Sequence, residues 1–330
     1  MWQGLRGLDA VVEQFRRALA ASRLASAYLF VGPEGVGKRA FALQLAKALL
    51  CERADPAELA PCGACQACIM CDAGNHPDIH VVERQKDSKT LKLEQFVGDR
   101  DHRNQVGFCH DLALKPLMGR RRVGVINDAD WLTPESANSL LKLLEEPPPG
   151  ALLILVGTSR SRQLPTILSR VQVVRFHGLP ADALRELVLA QGLAPDRAQA
   201  AELAAHSSGS LASARDLADG QLWPLRDRFA AAWNSGDFDP LPLSPAFDAY
   251  VAAGGKEADA RRQRIRLLLT AAGDALRAAI REACETGRSP DAALAALDRT
   301  LEAEDELDRN ANQATLLECW LDDLASLPTI

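Results

Sequence analysis

The sequence predicts a parallel α/β domain over residues 1–177, a small helical domain over 178–220 and a larger all-α domain over 221–330. Three observations carry this reading. Short apolar runs at 27–31 (AYLFV), 123–127 (VGVIN), 151–157 (ALLILVG) and 171–176 (VQVVRF) alternate with segments of helical periodicity. That pattern suits a sheet of parallel strands covered on both faces. A Gly-rich loop joins the first run to a helix, and beyond residue 178 strand signals give way to Ala, Leu, Arg, Asp and Glu.

Taken in order, AYLFV ends at Gly32, and Phe41, Leu45, Ala46 and Leu49 then recur at helical spacing within 38–50. VGVIN is followed by a predicted helix over 134–146 (PESANSLLKLLEE), which three prolines stop. ALLILVG leads to a short helix in 164–170 (LPTILSR) and then to VQVVRF. Past 178, helices are predicted in 180–192 and 196–210, separated by Gly192 and Pro195 and closed by Gly209. Longer amphipathic helices follow at 262–283, 289–309 and 312–327, their charged faces read as solvated surface.

At 330 residues the chain calls for two or three domains. A net charge of −6 and a pI near 5.6 argue against binding DNA through a broad basic surface of its own. No apolar run approaches the ~18–20 residues of a membrane span, and the opening MWQGLRGLDA lacks a signal-peptide core. A cytoplasmic protein without membrane contact is expected. Of eight cysteines, five fall within 51–71, whereas Cys109, Cys284 and Cys319 are scattered and read as small buried thiols. In a cytoplasmic chain such a cluster points to metal before disulfides.

Four motifs carry chemistry. GPEGVGKR (32–39) matches G-x-x-x-x-G-K through Gly32, Gly37 and Lys38, with Gly35 between them. Glycines let backbone N–H groups curl around phosphates at the positive end of the next helix, and Lys38 would reach the outer phosphates. Arg39 stands where a Ser or Thr hydroxyl ordinarily ligates Mg²⁺. Cys51, Cys62, Cys65, Cys68 and Cys71 form C-x10-C-x2-C-x2-C-x2-C, with two-residue gaps that let adjacent thiolates face one Zn²⁺. Five candidates for four positions leave one spare, and no His or carboxylate leaves an open coordination site, so a structural knuckle is expected. VGVINDAD (123–130) has the form of a strand ending in the carboxylates that hold Mg²⁺ and orient water, but the pair reads Asn127–Asp128. Asn127 carries no charge, and Asp128 is one methylene shorter than Glu. LPTILSR ends in Ser169–Arg170, where an Arg complements a helix C-terminus.

These motifs in this order, with CDAGNHPD (71–78), DADWLTPESANSLLKLLEEPPPG (128–150) and NANQATLLECWL (310–321), resemble the delta-prime family of bacterial DNA polymerase III clamp-loader subunits. The resemblance spans essentially the whole chain. It implies an AAA+ domain of the P-loop NTPase type with a small zinc knuckle, a helical lid and an all-α collar that holds a ring of subunits. It implies that Arg170, beside Ser169, is an arginine finger reaching ATP on a neighbouring subunit. Val171 replaces the family's usual Cys. Cys51, Cys62, Cys65 and Cys68 align with the zinc ligands and Cys71 is the extra. Thr158 takes the position that senses the γ-phosphate. Ala212, in GSLASARD (209–216), stands where working relatives carry an Arg, with Arg215 three residues on. With Arg39, Asn127 and Asp128 all departing from a hydrolytic site, the expected protein is a stator that does not hydrolyse ATP. Lys38 and the glycines leave ATP binding open. The implied partners are the gamma/tau and delta subunits and, through the complex, the sliding clamp and primer–template DNA. An autonomous ATPase that tolerates Arg39 is the alternative. A zinc-dependent nucleic-acid binder is disfavoured, because CGACQACIMC lacks interleaved aromatics and a basic run.

Overall fold

A computed structural model describes residues 2–85, 88, 90–255, 257–309 and 311–327. Asn310, which opens the C-terminal motif, lies outside the described residues. The chain forms two compact units: Met1–Leu184 with Ser208–Ala212, and Arg185–Ser207 with Ser213–Ile330. Residues 178–220 are therefore shared between them.

The first unit is built on a five-stranded parallel sheet of β1 (Ala27–Val31), β2 (Ile79–Val82), β3 (Arg122–Ile126), β4 (Ala151–Val156) and β5 (Gln172–Arg175), in the order β2-β3-β4-β1-β5. Every pairing is parallel; Leu29 of β1 sits opposite Leu155 on one side and Val173 on the other. The four runs read from the sequence are present, and β2 is a fifth strand. It is short and lies at the sheet edge with Val81 exposed, so it lacks the unbroken burial of β1, β3 and β4.

Strand alternation sends residues to two cores. Tyr28 and Phe30 of β1, with Leu152, Ile154 and Val156 of β4, face α1 (Asp9–Ala20) and α2 (Lys38–Leu50). Ala27, Leu29 and Val31, with Leu153 and Leu155, face the opposite layer around Phe96, Phe108, Leu140 and Ile167. Under the Gly-rich loop Phe30, Phe41 and Phe176 interlock, Phe41 lying 5.8 Å from Phe30 and 5.5 Å edge-on from Phe176. Such contacts are worth about 0.5–1.5 kcal/mol each beyond their burial. They fix the end of β1, the start of α2 and the end of β5 together, which makes the loop above them rigid.

The helix expected over 134–146 is interrupted. Thr133 caps its first piece, Pro134–Ser139, by accepting from the Ser136 N–H, and the second piece is Leu141–Glu145. At the break, Ser139 Oγ donates to the Ser136 carbonyl at 2.7 Å, a local bond that competes with the helix ladder.

The second unit is helical. Its longest helix, Ala258–Thr286, packs with Leu222–Asn234, Ser244–Ala252, Asp291–Asp308 and Gln313–Ala325. Trp320 is fully buried at their centre, stacked on Phe229 at 5.7 Å and Phe247 at 6.2 Å. Its indole N–H donates to Thr300 Oγ1 at 3.1 Å, satisfying the polar atom that so large a buried ring brings with it. No described helix is long and apolar enough to cross a membrane.

Candidate functional site

The loop after β1 has the backbone of a phosphate cradle. Gly32, Gly35 and Gly37 all have positive φ, at 151°, 72° and 95°, and Gly37 forms the N-cap of α2. Gly35 is doubly constrained, because a Cβ there would lie 2.4 Å from the Ala212 nitrogen and 2.8 Å from Ser210 Oγ. The Leu211 N–H also donates to the Gly35 carbonyl at 3.3 Å. The segment expected to lack a lid arginine therefore rests directly on the loop, with the small Ala212 at the contact.

Lys38 is buried, and its ammonium donates to the Gly32 carbonyl at 2.6 Å and the Pro33 carbonyl at 2.5 Å. Burial lowers its pKa below the ordinary lysine value, against the opposing pull of Glu34, Asp130 and Asp128. Arg39 leaves the loop instead of ligating anything within it. Its guanidinium pairs with the carboxylate of Glu83, just past β2, at 3.0 Å. Both side chains are about half exposed, so the pair adds little stability. Its consequence is chemical: the position that would supply a hydroxyl carries instead a cation turned away to a carboxylate that sequence reading did not single out.

Asn127 and Asp128 follow β3, and the Asn127 N–H donates to the Val82 carbonyl of β2 at 2.8 Å. Asp128 adopts a left-handed backbone, φ 57°, at the start of a single 3₁₀ turn. The residue that organises this edge is Asp130, which the sequence reading passed over. Its carboxylate accepts from the Thr158 N–H at 2.5 Å, the Thr158 hydroxyl at 2.7 Å and the Gln163 amide at 3.0 Å. The Thr158 carbonyl in turn accepts from the Gly32 N–H at 3.1 Å. Thr158 is thus adjacent to the loop, with its hydroxyl committed to Asp130.

Arg170 follows a short helix, Pro165–Leu168. Its Nη1 donates to the Thr166 carbonyl and to Ser169 Oγ, both at 2.9 Å, and its Nη2 to Glu145 Oε1 at 2.6 Å. Ser169 Oγ itself donates to the Thr166 carbonyl at 3.0 Å. Arg170 remains exposed at the surface.

Four of the clustered cysteines converge. The Sγ atoms of Cys51, Cys62, Cys65 and Cys68 all lie within 4.8 Å of one another, and Cys51 and Cys65 are 4.0 Å apart. A tetrahedron with Zn–S bonds of ~2.3 Å requires S–S edges of about 3.8 Å, so the set fits a zinc ion. Backbone N–H groups of Cys62, Cys65 and Cys68 donate to the sulfurs of Cys51, Cys62 and Cys65. Burial alone would raise the Cys51 thiol, but donors from Cys62, Arg53 and Ala54 bring it down to about 6. Burial pushes Cys68 up to about 12. A metal binding there would displace the Cys68 proton. Cys71 stands outside the set; burial, offset in part by Lys47, pushes it up to about 11. Beside it Lys47 and Asp72 pair at 2.6 Å and tie α2 to the knuckle helix Gln66–Asp72.

The knuckle's trailing motif ends in Asp78, which is fully buried. Its carboxylate accepts from the N–H groups of Leu117, Met118 and Gly119 at 2.6, 2.8 and 2.8 Å. Burial opposes ionisation, yet these donors leave the Asp78 pKa below the usual carboxylate value. A depressed folded-state pKa means the stabilisation is complete above the unfolded value of ~3.9 and is lost as pH falls through the folded value. Asp78→Asn is expected to lower stability at pH 7 by about 3 kcal/mol, since hydrogen bonds to a charged acceptor are each worth ~1.5–3 kcal/mol. Denaturation followed from pH 7 to pH 3 should show a steeper acid loss in the wild type than in the variant. Parallel curves would contradict this assignment.

The family described as "DNA polymerase III, delta subunit" matches residues 7–180. The "DNA polymerase III subunit delta'" of Pseudomonas aeruginosa is 34% identical over 242 residues, covering 68% of this chain and 69% of that protein. The delta' subunit of Bacillus subtilis is 33% identical over 217 residues, covering 66% of this chain and 61% of its own length. The "DNA polymerase III subunit tau" of Escherichia coli is 33% identical over 217 residues, which are 64% of this chain and 32% of that protein. Among solved structures, a DNA polymerase III gamma-subunit-related protein from Thermotoga maritima superposes with a TM-score of 0.45 at 18% identity, covering 96% of this chain and 99% of that one.

Proposed function

The chain belongs to the DNA polymerase III delta-subunit family, and from that premise we propose that it is the non-hydrolysing stator of a clamp-loading ring. The observation that carries this reading is the Arg39–Glu83 pair at 3.0 Å. A hydrolytic site needs a hydroxyl and a carboxylate on Mg²⁺ and a positioned water. Here a guanidinium replaces the hydroxyl, Asn127 the carboxylate and the shorter Asp128 the glutamate, while Thr158 is engaged by Asp130. The cradle and Lys38 persist as a scaffold within the domain.

In this reading the chain acts in trans. Arg170 is the arginine finger, with Ser169 beside it, and stabilises the charge that develops on ATP bound by a neighbouring gamma/tau subunit. Residues 1–177 form the AAA+ domain with its knuckle at 51–71, 178–220 the lid and 221–330 the collar. The knuckle would hold a structural Zn²⁺ on Cys51, Cys62, Cys65 and Cys68, fixing the segment that follows α2 and leading into β2. The partners are the gamma/tau and delta subunits, and through them the sliding clamp and primed DNA, in the cytoplasm.

Purified alone, the chain is expected to hydrolyse ATP no faster than its Lys38→Ala variant, measured by phosphate release with Mg²⁺ present. Turnover that depends on Lys38 would instead support an autonomous ATPase.

A further inference from the structure

Arg170 is not a loose surface side chain. An arginine offers five N–H donors in a planar fork, and three have fixed acceptors here: the Thr166 carbonyl, Ser169 Oγ and Glu145 Oε1. The first two are local, on the turn that carries Arg170 itself. They curl the side chain back along its own helix terminus through Nη1 alone, leaving Nη2 without a local acceptor. Glu145 supplies the third point from a separate element, 25 residues earlier in the chain. It sits at the end of Leu141–Glu145, the second piece of the interrupted helix, which packs against Pro165–Leu168. The three prolines that follow, Pro147 to Pro149, prevent that helix from running on. The Nε–H and the second Nη2–H have no acceptor among the described residues.

We propose that Glu145 is a positioning residue for the Arg170 finger, holding the guanidinium in one orientation before the neighbouring ATP is met. This rests on the reading of Arg170 given above. A long arginine side chain has many rotamers, and fixing its plane beforehand removes an ordering cost from the step that must bring it to the phosphates. Glu145 touches no reacting atom; it acts through Arg170. The pair is partly exposed, at 32% for Arg170 and 49% for Glu145, so its effect falls in the range of a surface ion pair with good geometry.

The test uses the full chain reconstituted with its partner subunits, clamp and primed DNA, reading kcat and KM for ATP, with Arg170→Ala as reference. Glu145→Ala is expected to lower kcat about three- to fivefold with KM unchanged, the upper end of what a partly exposed ion pair supplies. Glu145→Gln keeps an acceptor oxygen and should fall only about twofold, and its difference from wild type should shrink at high salt, which screens the carboxylate–guanidinium pair but not the neutral amide. A merely structural role would reduce assembly or thermal stability and leave this graded split absent. A Glu145→Ala complex that turns over as fast as wild type, or faster, overturns the proposal while leaving the finger standing. An Arg170→Ala complex with undiminished turnover removes the finger itself.

Discussion

Cys65→Ser is expected to abolish metal binding and unfold the knuckle, whereas Cys71→Ser leaves one zinc per chain in place. Cys65 is buried, lies 4.0 Å from Cys51 Sγ and caps the helix Gln66–Asp72 by accepting from the Cys68 N–H. Its loss leaves three thiolates and an open position on a site built to be closed. Structural Zn²⁺ supplies on the order of 10–16 kcal/mol to isolated zinc-finger peptides. The same site in this chain is worth less globally, because the sheet beneath has two cores of its own. The effect concentrates in residues 51–74, where the buried apolar cluster beyond the cysteines is small. Elemental analysis and amide exchange measure it directly. Stoichiometric zinc in Cys65→Ser, or its loss from Cys71→Ser, would contradict the assigned ligands. Acid should release the metal, since protons compete for the thiolates and Cys68 holds its proton most tightly.

Arg170→Ala carries the largest expected effect. An arginine finger raises phosphoryl-transfer turnover by ~10³–10⁵ where it operates. In the proposed role the variant is therefore expected to slow the neighbouring subunit's site by about 10³, while the steady-state rate of the complex falls by less where other sites fire independently. Folding and assembly should hold, because Arg170 is exposed and its contacts are surface hydrogen bonds. Truncation removes a partner from Glu145, but that carboxylate is half exposed and water can solvate it.

What sequence reading could see was local. The glycines of the loop, the helix that follows it and the clustering of cysteines each encode their geometry within a few residues; spacing left five candidates for four positions, and the structure brings together Cys51, Cys62, Cys65 and Cys68, the four that the family resemblance implies. Strands β1, β3 and β4 are buried at every position because both faces are covered, and all but Arg122 at the start of β3 are apolar or glycine. β2 escaped because an edge strand with His80 and an exposed Val81 has no such run. The carboxylates were the harder class. Glu83, Asp130 and Glu145 look like ordinary charged residues after a strand, in a turn and on a helix. Only the folded chain shows that they hold Arg39, Thr158 and Arg170. The break at Leu140 was likewise hidden within a sequence of good helical periodicity.

In the proposed role this chain acts on another subunit's ATP. That role is tested most directly by the clamp- and DNA-stimulated ATP turnover of the reconstituted complex carrying Arg170→Lys in this chain, with assembly confirmed by mass. Lysine keeps the charge but not the planar fork that spans phosphate oxygens. The account predicts an intact complex whose stimulated turnover collapses toward that of Arg170→Ala. An intact complex with wild-type stimulated turnover would contradict it.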